Sequence, residues 1–183
     1  MIPLTVSEVA EDSLRRIVGL AALHPPSDLE VRQVIMGCAS IMETYVDTVV
    51  ALLVQRSGVE GIGIGGAMVN ELQADFSRNW ARRNYWFEEA TGLAFNGEKY
   101  GQDAILLVDL RNALAHGAGG VSRYQSRDVG RSFELKRKFA KVLYVETTGG
   151  KLILSRATGW QAIVIAREFI LAVDDSAFTT RRP

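Results

Sequence analysis

Apolar residues recur along the first part of the chain at three- and four-residue intervals, the period of a helix with one buried face. Val6, Val9, Ala10, Leu14, Ile17, Val18 and Ala21 make the first such series, with Thr5 and Glu8 at capping-box spacing before it and the breaker Pro25-Pro26 after it. Ser27 and Glu30 repeat the capping signal. From there Val31, Val34, Ile35, Cys38, Ile41, Met42, Tyr45, Val49, Leu52 and Leu53 predict a second helix running to Gly58. At about 30 residues and roughly 1.5 Å per residue, it is long enough to span a small domain. A third helix is expected over residues 68–90, its stripe made by Leu72, Phe76, Trp80 and Phe87, with Arg78, Arg82, Arg83, Glu88 and Glu89 on the other, solvated faces. A fourth starts near Tyr100 and continues through the almost wholly apolar run Ile105, Leu106, Leu107, Val108, Leu110, Leu114 and Ala115.

The period changes to two in KVLYVETTGGKLILS, residues 141–155, where alternation around Thr148-Gly149-Gly150 predicts a short two-stranded hairpin. A last helix follows over residues 160–174 with Trp160, Ile163, Val164, Ile170, Leu171 and Val173. The pattern is that of an all-α protein with one small hairpin near its C-terminal end. A length of 183 residues predicts a single domain, residues 1–183, with a core that needs no covalent staple.

Composition narrows the function classes. Lys plus Arg and Asp plus Glu balance at 21 each, so net charge alone points neither to nucleic acid nor to a membrane surface, and only local clustering can. Such a cluster exists: Arg123, Arg127, Arg131, Lys136, Arg137, Lys138 and Lys141 face only Asp128 and Glu134 over residues 123–141. Cys38 is the single cysteine and, with His24 and His116 the only histidines, leaves too few soft ligands for a structural zinc site. No metal or cofactor is expected. Gly61, Gly63 and Gly66 satisfy G-x-G-x-x-G, but a helix precedes them and Asn79, Trp80 and Ala81 stand where a dinucleotide site needs an acid, so GVEGIGIGG reads as an inter-helix loop. Tyr85-Trp86 beside Arg82-Arg83 has the makings of a base-stacking platform, although aromatics in a helix more often serve core or interface. The N-terminus lacks the basic and apolar regions of a secretory signal, and no uninterrupted apolar run reaches a membrane span, so a cytoplasmic protein without a membrane partner is expected.

The fourth helix ends on VDLRNALAHGAGG, three strongly hydrogen-bonding side chains closing an apolar segment. On an ideal helix Asp109, Asn112 and His116 fall within about 60° of one another, whereas Arg111 lies about 140° from His116. Arg111 and His116 therefore meet if the guanidinium bends round, if the helix end unwinds at Gly117, or if two copies of the helix adjoin across a two-fold axis. The same spacing also fits a structural arrangement. In it Asn112 caps a loop, His116 sits favourably at the helix C-terminus with Gly117 as the left-handed residue beyond it, and Arg111 pairs with Glu43 or Asp47.

R-N-x-x-x-H, realised as Arg111, Asn112, Ala113, Leu114, Ala115 and His116 and followed by Gly117, resembles the signature of the HEPN superfamily, the higher eukaryotes and prokaryotes nucleotide-binding domains. FSRNW some thirty residues earlier and RNALAHGAGGVSRYQ around the motif resemble the RiboL-PSP type of that superfamily. The resemblance implies an up-and-down bundle of four to five helices and a homodimer through the helix carrying Arg111 to His116. It implies further a metal-independent endoribonuclease of toxin–antitoxin or antiviral defence, with Arg111, His116 and Asn112 catalytic. Arg123, Arg127 and Arg131, spaced i, i+4, i+8, then become candidates to bind the phosphates of the RNA substrate, and the hairpin a place for an antitoxin-like or other regulatory protein. The superfamily resemblance also extends to non-catalytic modules that bind nucleotides or proteins, which have no need of an intact Arg111 and His116 pair.

Overall fold

The computed structural model describes residues 6–22, 27–58, 65–76, 78–116 and 129–179. Within them the chain is mostly helical: α1 (Glu8–Ala21), α2 (Asp28–Arg56), α3 (Gly65–Phe76), α4 (Trp80–Thr91), α5 (Lys99–His116), α6 (Val129–Leu143) and α7 (Arg156–Asp174), with one antiparallel hairpin, β1 (Glu146–Thr148) and β2 (Lys151–Ile153). Seven helices stand where four to five are expected from the resemblance. Part of the difference is a break in the expected third helix. Asn79 takes an extended conformation (φ −163°, ψ 167°) and its side chain accepts from the Arg82 amide, so α3 ends and α4 begins inside a stripe that reads as continuous.

Other ends shift for the same kind of local reason. Ser7, not Thr5, caps α1 by accepting from the Ala10 amide, while Thr5 lies outside the described residues. The capping box of Ser27 and Glu30 starts α2 as the spacing predicts. Ser155 and Thr158 form a second capping box that starts α7 at Arg156, four residues before the expected start. Residues 141–143 belong to α6, so the hairpin is shorter than its alternation suggests, with Thr148 opposite Lys151 and Glu146 opposite Ile153. Gly149 and Gly150, at φ 56° and 83°, supply the two left-handed residues that such a tight turn requires.

α2 is the hub, packing against α1, α3, α4, α5 and α7, while α7 also packs on α1, α5 and α6. Its buried face carries Val31, Ile35, Cys38, Met42, Tyr45 and Val49, all at most 2% exposed. By length and composition α2 is the one described helix apolar enough to cross a membrane; here it is the central helix of the core. The core is pinned at one point by a buried carboxylate. Asp174, at the end of α7, accepts from the Ser7 amide (2.9 Å), the Ser7 hydroxyl and the Tyr45 hydroxyl (2.8 Å), tying α1, α2 and α7 together. Burial, with the Asp174 charge next in importance, raises the Tyr45 phenol pKa well above its ordinary value.

α5 enters this core under a steric condition. A Cβ at Gly101 would lie 1.8 Å from the Phe95 carbonyl oxygen, so only glycine lets the 3-10 turn Phe95–Gly97 rest directly on the helix. Phe95 then joins Phe87, Trp80, Tyr100 and Phe169 in a cluster of edge-on and tilted rings with centroids 5.4 to 6.2 Å apart. Such pairs each contribute about 0.5–1.5 kcal/mol beyond simple burial.

Candidate functional site

The polar end of α5 lies against two carboxylates on α2. Glu43 and Asp47 are one helical turn apart in the mostly apolar stretch IMETYVDTVV, and a half-buried carboxylate placed there requires a cation or donor opposite it. Each has one. Arg111 of α5 donates through one terminal nitrogen to Glu43 Oε1, which also accepts from Trp80 Nε1 of α4 at 3.0 Å. Arg83 of α4 grips Asp47 with Nε and a terminal nitrogen at 2.7 and 2.8 Å, and its guanidinium lies 5.8 Å from the Trp80 ring centre. α2, α4 and α5 are thereby joined by two ion pairs, Arg111–Glu43 and Asp47–Arg83, with Trp80 between them.

Arg111 is only 23% exposed and Glu43 22%. The carboxylate fixes the guanidinium in place while engaging one of its three nitrogens among the described residues. His116, the last residue of α5, is exposed, and Asn112 is half-buried one turn before it. Within one chain no hydrogen bond or ion pair joins Arg111 to His116. The structure thus realises the pairing of Arg111 with Glu43 that the spacing had left open, and leaves Asn112 and His116 on a different edge of the helix.

That edge is informative. Leu107, Leu110 and Ala113 of α5 are fully buried within the chain, whereas Ile105 and Leu114 are half-buried and Ala115 is exposed. Along one line of the helix Gln102, Ile105, Asp109, Asn112 and His116, mostly polar and recurring at three- and four-residue steps, all stay at least partly uncovered.

Of the three arginines singled out as phosphate binders, Arg123 and Arg127 lie outside the described residues, and Arg131 is exposed in the first turn of α6. The expected platform on α4 is partly engaged. Trp86 Nε1 donates to Asp75 at 2.9 Å, Arg82 Nε donates to the same carboxylate at 2.6 Å, and Tyr85 stands edge-on to Trp86 with Arg82 5.2 Å from its ring centre. The Arg82 and Trp86 hydrogen bonds hold the Asp75 carboxyl below the usual carboxylate range. Arg83, expected on a solvated face, is instead 6% exposed, because Asp47 compensates its charge inside. Among the described residues no three potential metal-ligating side chains gather in one place. Cys38 is wholly buried, and burial pushes its thiol up to about 12.

Sequence reasoning passed over Trp80 and Arg83 as members of this site. The signal was present in α2, since two mid-helix acids in an apolar run announce two buried donors elsewhere. Compared with known proteins, the chain matches no family model, no curated sequence and no solved structure.

Proposed function

We propose that the chain is a metal-independent endoribonuclease of the HEPN kind, with Arg111 and His116 as its catalytic pair. The observation that carries the proposal is the contrast at the end of α5: a guanidinium fixed by a carboxylate on α2, and an exposed imidazole five residues later beside a polar seam. The seam suits a homodimer in which two copies of α5 bring Arg111, Asn112 and His116 from both chains to one cleft.

The chemistry asks for these residue types. The ribose 2′-oxygen attacks the adjacent phosphorus as its proton passes to a base. The bond from phosphorus to the 5′-oxygen breaks, and that oxygen takes a proton from an acid. The products are a 2′,3′-cyclic phosphate and a 5′-hydroxyl. Imidazole, with an ordinary pKa near 6.5, exchanges protons at neutral pH, and two copies of His116 supply one base and one acid. Arg111 donates to the phosphorane-like oxygens, where a charge already held in place costs no reorganisation. Asn112 orients the phosphate or the imidazole. Toxin or antiviral-defence activity restrained by a regulatory protein is the setting this chemistry fits.

The Glu43 pairing also favours a second reading, in which Arg111 is a structural cation and the protein a non-catalytic binding module. Purified protein given matched RNA and 2′-O-methyl RNA separates the two. Cleavage of RNA alone supports the nuclease; cleavage of neither, or of both, sinks it.

A further inference from the structure

The exposed face of α6 departs from the rest of this charge-balanced chain. Phe139 and Leu143 are fully buried and Leu135 and Val142 half-buried, so the apolar face of the helix is spent on the core. The outward arc carries Arg131, Arg137, Lys138 and Lys141 against the single acid Glu134, which Lys138 pairs at 3.1 Å. Among the described residues no carboxylate lies within ion-pair distance of Arg137 or Lys141. Two aromatic rings bracket these cations. Phe133, one turn before Arg137, is 72% exposed, and Tyr144, just past the helix end, is 54% exposed. Tyr144 sits at φ 54°, a left-handed conformation that residues other than glycine rarely adopt. Glycine adopts this conformation at a helix end without strain.

We propose that this face of α6 binds single-stranded RNA, with Arg137 and Lys141 on successive phosphates and Phe133 and Tyr144 stacked on bases. The proposal rests on the ribonuclease reading only in taking the strand to be the substrate. α6 packs against α5, so the helix offered to the strand adjoins the helix that carries Arg111 and His116. Cations favour a polyanion, and exposed rings favour bases that are free to stack, which a duplex withholds. A membrane surface fits less well, because a helix lying on lipid needs the apolar face that α6 has already buried.

The test is fluorescence anisotropy with a labelled 2′-O-methyl single strand, which binds without being cleaved, on the full chain. Arg137→Gln with Lys141→Gln is expected to weaken binding at least tenfold and to flatten the slope of log affinity against log salt by about 1.4, two phosphate contacts at roughly 0.7 each. Phe133→Ala and Tyr144→Ala are each expected to weaken it about fivefold or more, and Tyr144→Gly to do so while raising thermal stability. Unchanged affinity and salt slope in these variants, equal affinity for a duplex, or binding to phosphatidylserine vesicles in place of the strand would overturn the assignment. Because the strand is uncleavable, a protein that fails as a nuclease yet loses binding on these substitutions upholds the docking face and rejects only the catalytic reading.

Discussion

Glu43→Gln tests whether the carboxylate on α2 is what holds Arg111. Glutamine keeps the shape and leaves Trp80 Nε1 an acceptor, but removes the charge opposite the guanidinium. At a charge separation of about 4 Å and an effective dielectric constant near 20, the gross attraction is about 4 kcal/mol. Both side chains keep roughly a fifth of their surface in water, so the pair lies between exposed pairs, worth about 0–1 kcal/mol, and buried ones, where loss of a partner costs about 3–5 kcal/mol. A coupling near 2 kcal/mol follows. At about 2–4 °C per kcal/mol for a chain of this size, Glu43→Gln should lower Tm by roughly 4–8 °C. The assay is a double-mutant cycle of Glu43→Gln and Arg111→Met, read by denaturant unfolding, with RNA cleavage measured on Glu43→Gln. The same substitution should reduce kcat more than it raises KM, since a released guanidinium loses its aim at the transition state. A coupling below about 0.5 kcal/mol refutes the claim that Glu43 positions Arg111.

Gly101→Ala forces a methyl into the Phe95 carbonyl and should destabilise the fold by about 3 kcal/mol or more, visible in the urea midpoint; a neutral result would mean that the turn does not rest on α5 as described. Asp174→Ala strands the Tyr45 and Ser7 hydroxyls and should cost about 2–5 kcal/mol, whereas an unchanged midpoint would deny the clamp on α1, α2 and α7. Cys38, with its thiol pushed up to about 12 and no exposed surface, should resist a thiol reagent at pH 8 until the protein is unfolded, and labelling of the native state would contradict its place in the core. Asp75 has a depressed folded-state pKa, so its contribution is present above its unfolded value and lost as pH falls through the folded one. Trp86 fluorescence in a Trp80→Phe, Trp160→Phe background should change only below the usual carboxylate range, and Asp75→Asn should abolish that transition.

Much of the framework was legible because it rests on local rules. The Ser27 and Glu30 box starts α2, and Gly149-Gly150 turns the hairpin, since caps and left-handed turns depend on a few adjacent residues. The break at Asn79 was hidden because Leu72, Phe76 and Trp80 keep helical spacing across it, and periodicity does not register one capping side chain. The interior position of Arg83 was equally hidden, since its burial depends on Asp47 thirty-six residues away. At the site, the spacing of Asp109, Asn112 and His116 gave the seam, and the choice of Glu43 over Asp47 for Arg111 came only with α4, whose Arg83 occupies the other carboxylate.

The central claim is that Arg111 and His116 cleave RNA by 2′-hydroxyl attack, and end-group analysis tests it most directly. Wild type and His116→Ala, shown to be equally folded, are incubated with a mixed structured RNA pool in excess EDTA. Fragments ending in 2′,3′-cyclic phosphate and beginning with 5′-hydroxyl, from wild type alone, are the predicted result. Fragments with 3′-hydroxyl ends, or equal cleavage by both proteins, would contradict it.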